Sequence, residues 1–219
     1  MPRFPRRATA LCAAFLVAAT ALVGCSAGAS PNPSTACNGA DEQSYAGFYP
    51  TLEQLLPKQV GSQPLQQVRS GRYCSARTLG SLAKVGIHEL QFAGGALPDP
   101  KNKAAGLGLV VYRAPGMTLD QLADAQANGA GGTQDASGIV ARRATISGRS
   151  GIRIDVSVQA GAEMIFVWPE GSPGVYDAVT GVSASESQID AAVAAFDTVQ
   201  GTPVPVVSRM ASAAASPGP

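Results

Sequence analysis

Residues 151–159 alternate strictly, with Ile152, Ile154, Val156 and Val158 in one phase and Arg153, Asp155, Ser157 and Gln159 in the other. A period of two is a strand with one dry face and one wet face. It is the clearest part of a longer stretch, residues 139–183, whose apolar runs are cut at Gly148–Gly151, Ala160–Gly161 and Glu170–Gly174. Those cuts predict an antiparallel meander of four strands. Upstream, residues 106–116 hold consecutive apolar side chains, the pattern of a strand buried on both faces. Shorter strands are expected up to Cys74 and over Ile87–Phe92, and the most polar loop between them and the next strand is residues 95–105.

Helical spacing marks four other segments. Thr118 with Gln121, and Ser185 with Gln188, form capping-box pairs. The first opens a helix lined by Leu119, Leu122 and Ala123, stopped by Gly129 and the glycines beyond it. The second opens a helix carrying Ile189, Val193 and Phe196. A third helix is predicted over 76–84, burying Leu79, Leu82 and Ala83, with Gly86 near its end. A short fourth has Thr51 as its cap, Gln54 three residues later and Pro57 as its stop. Helices bracketing strands joined by short turns predict an α+β fold: one domain over residues 37–200, a mostly antiparallel sheet, and helices on one face of it.

The two ends of the chain lack this periodicity. Residues 201–219 carry prolines and small residues and are expected to be disordered, although Val204, Val206 and Val207 have the makings of a short closing strand. At the other end, Arg3, Arg6 and Arg7 precede an apolar run from Ala8 to Val23. That run is short for a membrane span, which takes about 20 residues, and suits a signal-peptide core. It ends in Leu22-Val23-Gly24-Cys25, which resembles the bacterial lipobox. The resemblance implies removal of residues 1–24 and attachment of diacylglycerol to the Cys25 sulfur, with further acylation, palmitate included, at the new amino terminus. Two or more acyl chains hold a protein stably on a bilayer where one does not. Residues 25–36 then read as a flexible tether, about 35 Å long at roughly 3.3 Å per residue. The implied location is the extracytoplasmic face of the cell membrane.

Four cysteines are present. With Cys12 in the signal peptide and Cys25 lipidated, Cys37 and Cys74 remain, and export favours their pairing as a disulfide. Two free buried thiols is the alternative. Neither cysteine stands at zinc-motif spacing from the single histidine, His88, so neither metal nor cofactor is expected. The formal charge of +1 falls to near −2 once the three leader arginines are gone. Without a basic run and with few aromatics, nucleic acid is not an expected partner.

Candidate catalytic groups are sparse. Any nucleophile–histidine mechanism must use His88, whose place beside Ile87 on an expected strand reads better as structural. Ser150, in Gly148-Arg149-Ser150-Gly151, lacks nucleophile-elbow spacing and reads as a hairpin turn. No glycine run has the spacing of a dinucleotide or phosphate loop. Asp99, Asp120, Asp124, Asp155, Glu163 and Glu170 are available for a carboxylate pair, but their spacing selects no two of them. Phe166, Trp168 and Tyr176 are expected to share one face of adjacent strands, either as a ligand- or partner-binding patch or as core.

The element order of residues 106–199 resembles the Mog1/PsbP-like α/β/α sandwich of mycobacterial lipoproteins of the LpqN type. Residues 55–65, LLPKQVGSQPL, are similar to an opening found in exported proteins of high-GC bacteria, with Ser62 in place of a glycine. Neither likeness brings a catalytic residue. The expected function is therefore a non-enzymatic binding or accessory role in the cell envelope. The membrane is met through the lipid, and the partner is a protein, a lipid or a small solute. A hydrolase using a carboxylate pair and a purely structural surface protein are the alternatives.

Overall fold

The computed structural model describes residues 32–39, 42–100, 102, 105–132, 136–158 and 161–200. Residues 1–31, with the expected signal peptide and Cys25, and the segment 201–219 with its three valines lie outside the described residues. In chain order the elements are β1 (Ser44–Tyr45), α1 (Pro50–Glu53), β2 (Gln59–Val60), β3 (Gln63–Pro64), β4 (Gln66–Tyr73), α2 (Ala76–Leu79), α3 (Ser81–Lys84), β5 (Leu90–Pro98) and β6 (Gly106–Arg113). They continue with α4 (Leu119–Gly131), β7 (Ala136–Ile146), β8 (Arg149–Val158), β9 (Gly161–Pro169), β10 (Val175–Val182), α5 (Glu186–Ala195) and α6 (Asp197–Gln200).

Eight strands form one antiparallel sheet in the order β1-β4-β5-β6-β10-β9-β8-β7, and β2 and β3 pair as a separate hairpin. The four-strand meander β7–β10 is present, and its last strand returns to lie against β6 over Val175–Val182. The architecture is α+β and dominated by the sheet.

Helices cover both faces, not one. The reason lies in β9 and β10, where both phases are apolar and buried. Phe166, Trp168, Val175 and Val179 point to a first core with Leu52, Leu56, Ile189, Val193 and Phe196. Ile165, Val167, Tyr176 and Ala178 point to a second core with Leu79, Leu82, Leu122 and Ala123. Each apolar face of a sheet needs its own cover. Thus α1 and α5 lie over the first face, and α2, α3 and α4 over the second.

Local chemistry explains where elements start and stop. Both capping boxes are formed, at Thr118/Gln121 on α4 and at Ser185/Gln188 on α5. Ile189, Val193 and Phe196 are wholly buried. Ser185→Ala removes the side-chain acceptor for the Gln188 N–H and is expected to cost about 1 kcal/mol, read as a lower midpoint in urea. The α4 helix runs past Gly129 to Gly131.

Four boundaries differ from expectation. Thr51 is not the cap of α1, which starts at Pro50, a residue pre-set for the first helical turn. The cap here is tertiary: the Tyr49 N–H donates to Ser70 Oγ at 2.6 Å, and Ser70 Oγ donates to Glu53 Oε1 at 2.8 Å. The helix expected over 76–84 breaks in two at Gly80, whose φ of +56° lies in the left-handed region. The β7–β8 turn is Ser147-Gly148, with φ of +46° and +79°, a primed two-residue hairpin. Ser150 and Gly151 therefore stand on β8 itself. Strand β5 starts later than expected and continues to Pro98, through small residues that carry no apolar signal.

Candidate functional site

The three aromatic residues do not form a common patch. The register pairs Trp168 with Asp177 and Phe166 with Val179, so Tyr176 faces the other way. Its hydroxyl donates to the Met117 carbonyl at 2.6 Å in the second core. Phe166 stacks on Trp168 at 5.2 Å, and Trp168 meets Phe196 edge-on at 5.1 Å. With 0% and 1% exposure, Phe166 and Trp168 are core and present nothing to a ligand.

Cys37 and Cys74 are joined as a disulfide, with Cα atoms 5.4 Å apart. Glu42 braces this junction by accepting from the backbone N–H of Cys74 and of Ser75 at 2.8 and 2.6 Å, and from the Thr78 hydroxyl. Partial burial works against the charge on Glu42, but these donors outweigh it and hold its carboxyl below the usual range. Thr35, within the segment read as tether, is also held. Arg72 donates through Nη1 to the Thr35 carbonyl at 2.8 Å and through Nη2 to its hydroxyl at 3.2 Å.

Arg72 belongs to a row of polar side chains across the first face. Cross-strand pairing sets Arg72, Gln91 and Arg113 side by side on β4, β5 and β6. Arg113 Nε donates to Gln91 Oε1 at 2.7 Å, and Gln91 Nε2 to Glu89 at 2.9 Å. The Tyr49 hydroxyl donates to the same Glu89 oxygen at 3.2 Å, and Arg72 lies 3.8 Å from it. Burial, aided by Glu89, pushes the Tyr49 hydroxyl up to about 12. This row fastens α1 to the sheet.

One row further in lies Asp177, wholly buried. Its Oδ1 accepts from Gln200 Nε2 at 3.1 Å, and the same amide donates to the Leu55 carbonyl, tying α6 to the end of α1. Among the described residues, Asp177 Oδ2, Trp168 Nε1 and Gln200 Oε1 close no hydrogen bond. Arg149 lies over the Trp168 ring and pairs with Asp197 at 2.7 Å. Burial raises the Asp177 carboxyl to about 7, against the opposing pull of Gln200 and Arg149.

Asp177 gives a pH signature of definite sign. Between about pH 4 and 7 the unfolded chain has released this proton while the folded chain retains it, so this group makes stability fall as pH rises through that window. Above it the contribution is flat. Asp177→Asn removes the ionised state, so the stability difference between variant and wild type is expected to shift in the variant's favour from pH 4 to 7.5. Urea melts at both pH values read this directly, and a difference independent of pH contradicts it.

The candidate carboxylates do not converge. Asp120 pairs with Arg143, and Asp155 with Arg142 and Arg153. Asp155 lies opposite Met164 and Glu163 opposite Val156, which puts the two acids on opposite faces of the sheet. Burial raises the Glu163 carboxyl. Asp99 lies in the β5–β6 loop and Glu170 in the turn before β10, where it accepts the Ser172 N–H at 2.9 Å. His88 is exposed in the loop before β5, not on a strand. Among the described residues no group of three or more His, Cys, Asp or Glu has the geometry of a metal site. Nor is any described helix long and apolar enough to cross a membrane.

What the surface does offer is a groove of about 520 Å³ between the β2–β3 hairpin, the β5–β6 loop and the start of α5. Val60, Leu97, Leu107 and Ala191 supply apolar walls, and Ser62 and Gln188 supply neutral hydrogen-bonding groups. Asp99 is the only charged side chain among its described lining residues. No candidate from the sequence except Asp99 touches it. The groove joins four separate segments, and nothing in any one of them marks it. Asp177 did carry a signal, as a carboxylate in Val175–Val179 with apolar neighbours in both phases.

No family model, curated protein or solved structure matches this chain.

Proposed function

We propose that this chain is an exported lipoprotein, held on the extracytoplasmic face of the membrane through Cys25, with a non-catalytic binding or accessory role in the cell envelope. The observation that carries the binding role is the groove between the β2–β3 hairpin and α5. Apart from Asp99, its described walls are apolar and neutral, suited to holding a molecule by shape and a few hydrogen bonds. Two things support the compartment: the lipobox-like Leu22–Cys25, and a disulfide closing just beyond it at Cys37–Cys74.

The test is purification of the full chain from membranes, followed by native mass spectrometry. The expected result is an acylated Cys25 amino terminus and a bound molecule that is lost when Ala191→Phe fills the groove. Ala191 lines the groove from the outer side of α5, so circular dichroism should show the variant folded. A Cys25→Ser chain that stays membrane-held overturns the anchor. A bound molecule undisturbed by Ala191→Phe overturns the groove.

A further inference from the structure

The tether enters the domain at one end of the sheet, and the groove lies at the other. Tyr73 pairs with Leu90, and Arg113 with Gln91 and Val175, so these residues mark one pole. Thr35 is clamped there by Arg72, and Cys37 is bonded there to Cys74. Pro98, Gly106 and Val182 are register neighbours at the far pole. Leu97, Gly106 and Ser183 line the groove. The eight residues of β4 span seven steps and separate the poles by roughly 23 Å at about 3.3 Å per step.

Read as a flexible tether, the segment before Asn32 has a relaxed reach shorter than this separation. Asn32 and Thr35 close a turn, with the Thr35 N–H donating to the Asn32 carbonyl at 3.0 Å. From Cys25 to Asn32 there are seven peptide links. A flexible chain of that length has a root-mean-square reach of about 15 Å, at roughly 5–6 Å times the square root of its length. Stretched fully it reaches about 25 Å. Laying the groove pole on the bilayer would need a nearly taut chain, whereas the other pole reaches it with the chain relaxed.

That near pole has a surface suited to lipid headgroups. The connection from β4 to β5 starts and ends there, and it exposes Arg77, Lys84 and, at 51%, Val85. Two acids flanking this connection are engaged by protein donors: Glu42 by the Cys74 and Ser75 amides, Glu89 by Tyr49 and Gln91. Cations flanking an exposed apolar side chain complement an anionic interface.

Resting on the reading of Cys25 as a lipid anchor, the structure assigns the Tyr73–Leu90–Arg113 pole to the membrane. Arg77, Lys84 and Val85 then meet anionic lipid headgroups, and the groove opens away from the bilayer. A groove so placed takes its ligand from the space outside the membrane rather than from the lipid phase.

Fluorophores on Val85→Cys and Ser62→Cys test this. The labels are attached without reductant, so that the Cys37–Cys74 disulfide stays closed, to the acylated full chain in vesicles of phosphatidylcholine and phosphatidylglycerol. With a bilayer-embedded quencher, the label at 85 is expected to lose fluorescence and the label at 62 to keep it. Arg77→Glu with Lys84→Glu is expected to restore part of the signal at 85. Equal quenching at the two positions, or stronger quenching at 62, overturns the orientation. An intact mass showing unmodified Cys25 in the same preparation overturns the anchor, and the orientation with it.

Discussion

Replacing Trp168 with alanine is expected to lower the unfolding free energy by about 3–5 kcal/mol, the usual cost of emptying a large aromatic site in a core. Trp168 is 1% exposed and touches three layers of the first face at once. Phe166 stacks beside it on β9, Phe196 closes over its edge from the end of α5, and the Arg149 guanidinium lies 5.9 Å above its ring. The site cannot easily collapse to fill the void. Gly151 on β8 already approaches so closely that a Cβ there would stand 2.2 Å from the Val167 carbonyl and 3.0 Å from the Phe166 ring. The truncation also strips Arg149 of its aromatic support. Trp168→Phe keeps the stacking and is expected to lose less. Because Trp168 is the only tryptophan, the melts must be followed by far-ultraviolet circular dichroism. A loss below about 1 kcal/mol for the alanine variant would show a core that repacks freely, contrary to this geometry.

The same residue shows how far sequence pattern reaches. That Trp168 and Phe166 share a face follows from period two alone. That Tyr176 does not share it depends on the turn at 170–174, since one residue more or less there would reverse the face of every side chain on β10. Turn geometry of this kind is invisible to periodicity. The capping boxes were legible because the whole interaction lies within four residues, as at Ser185–Gln188. The start of α1 was not, because its cap comes from Ser70, twenty-one residues away. Double coverage of the sheet was available in principle from Met164–Trp168, where five consecutive residues are buried. Unlike β8, which alternates, β9 is apolar in both phases there and so presents an apolar surface to each side. The groove was beyond reach, since only tertiary structure brings Ser62, Leu97 and Ala191 together.

Loss of the Cys37–Cys74 disulfide has a comparably large expected effect, by a different route. A bridge between residues 37 positions apart restricts the unfolded chain, and the chain-entropy estimate for a loop of that size is about 4 kcal/mol. The folded state should survive the loss of the bond, because other contacts hold both sides of it. Cys74 keeps its backbone donation to Glu42, and Thr35 keeps its two bonds from Arg72. Cys37→Ser with Cys74→Ser is therefore expected to fold, to melt several kcal/mol below the wild type, and to match the wild type measured in reductant. A double serine variant as stable as the oxidised wild type would mean that Arg72 and Glu42 alone fix this junction.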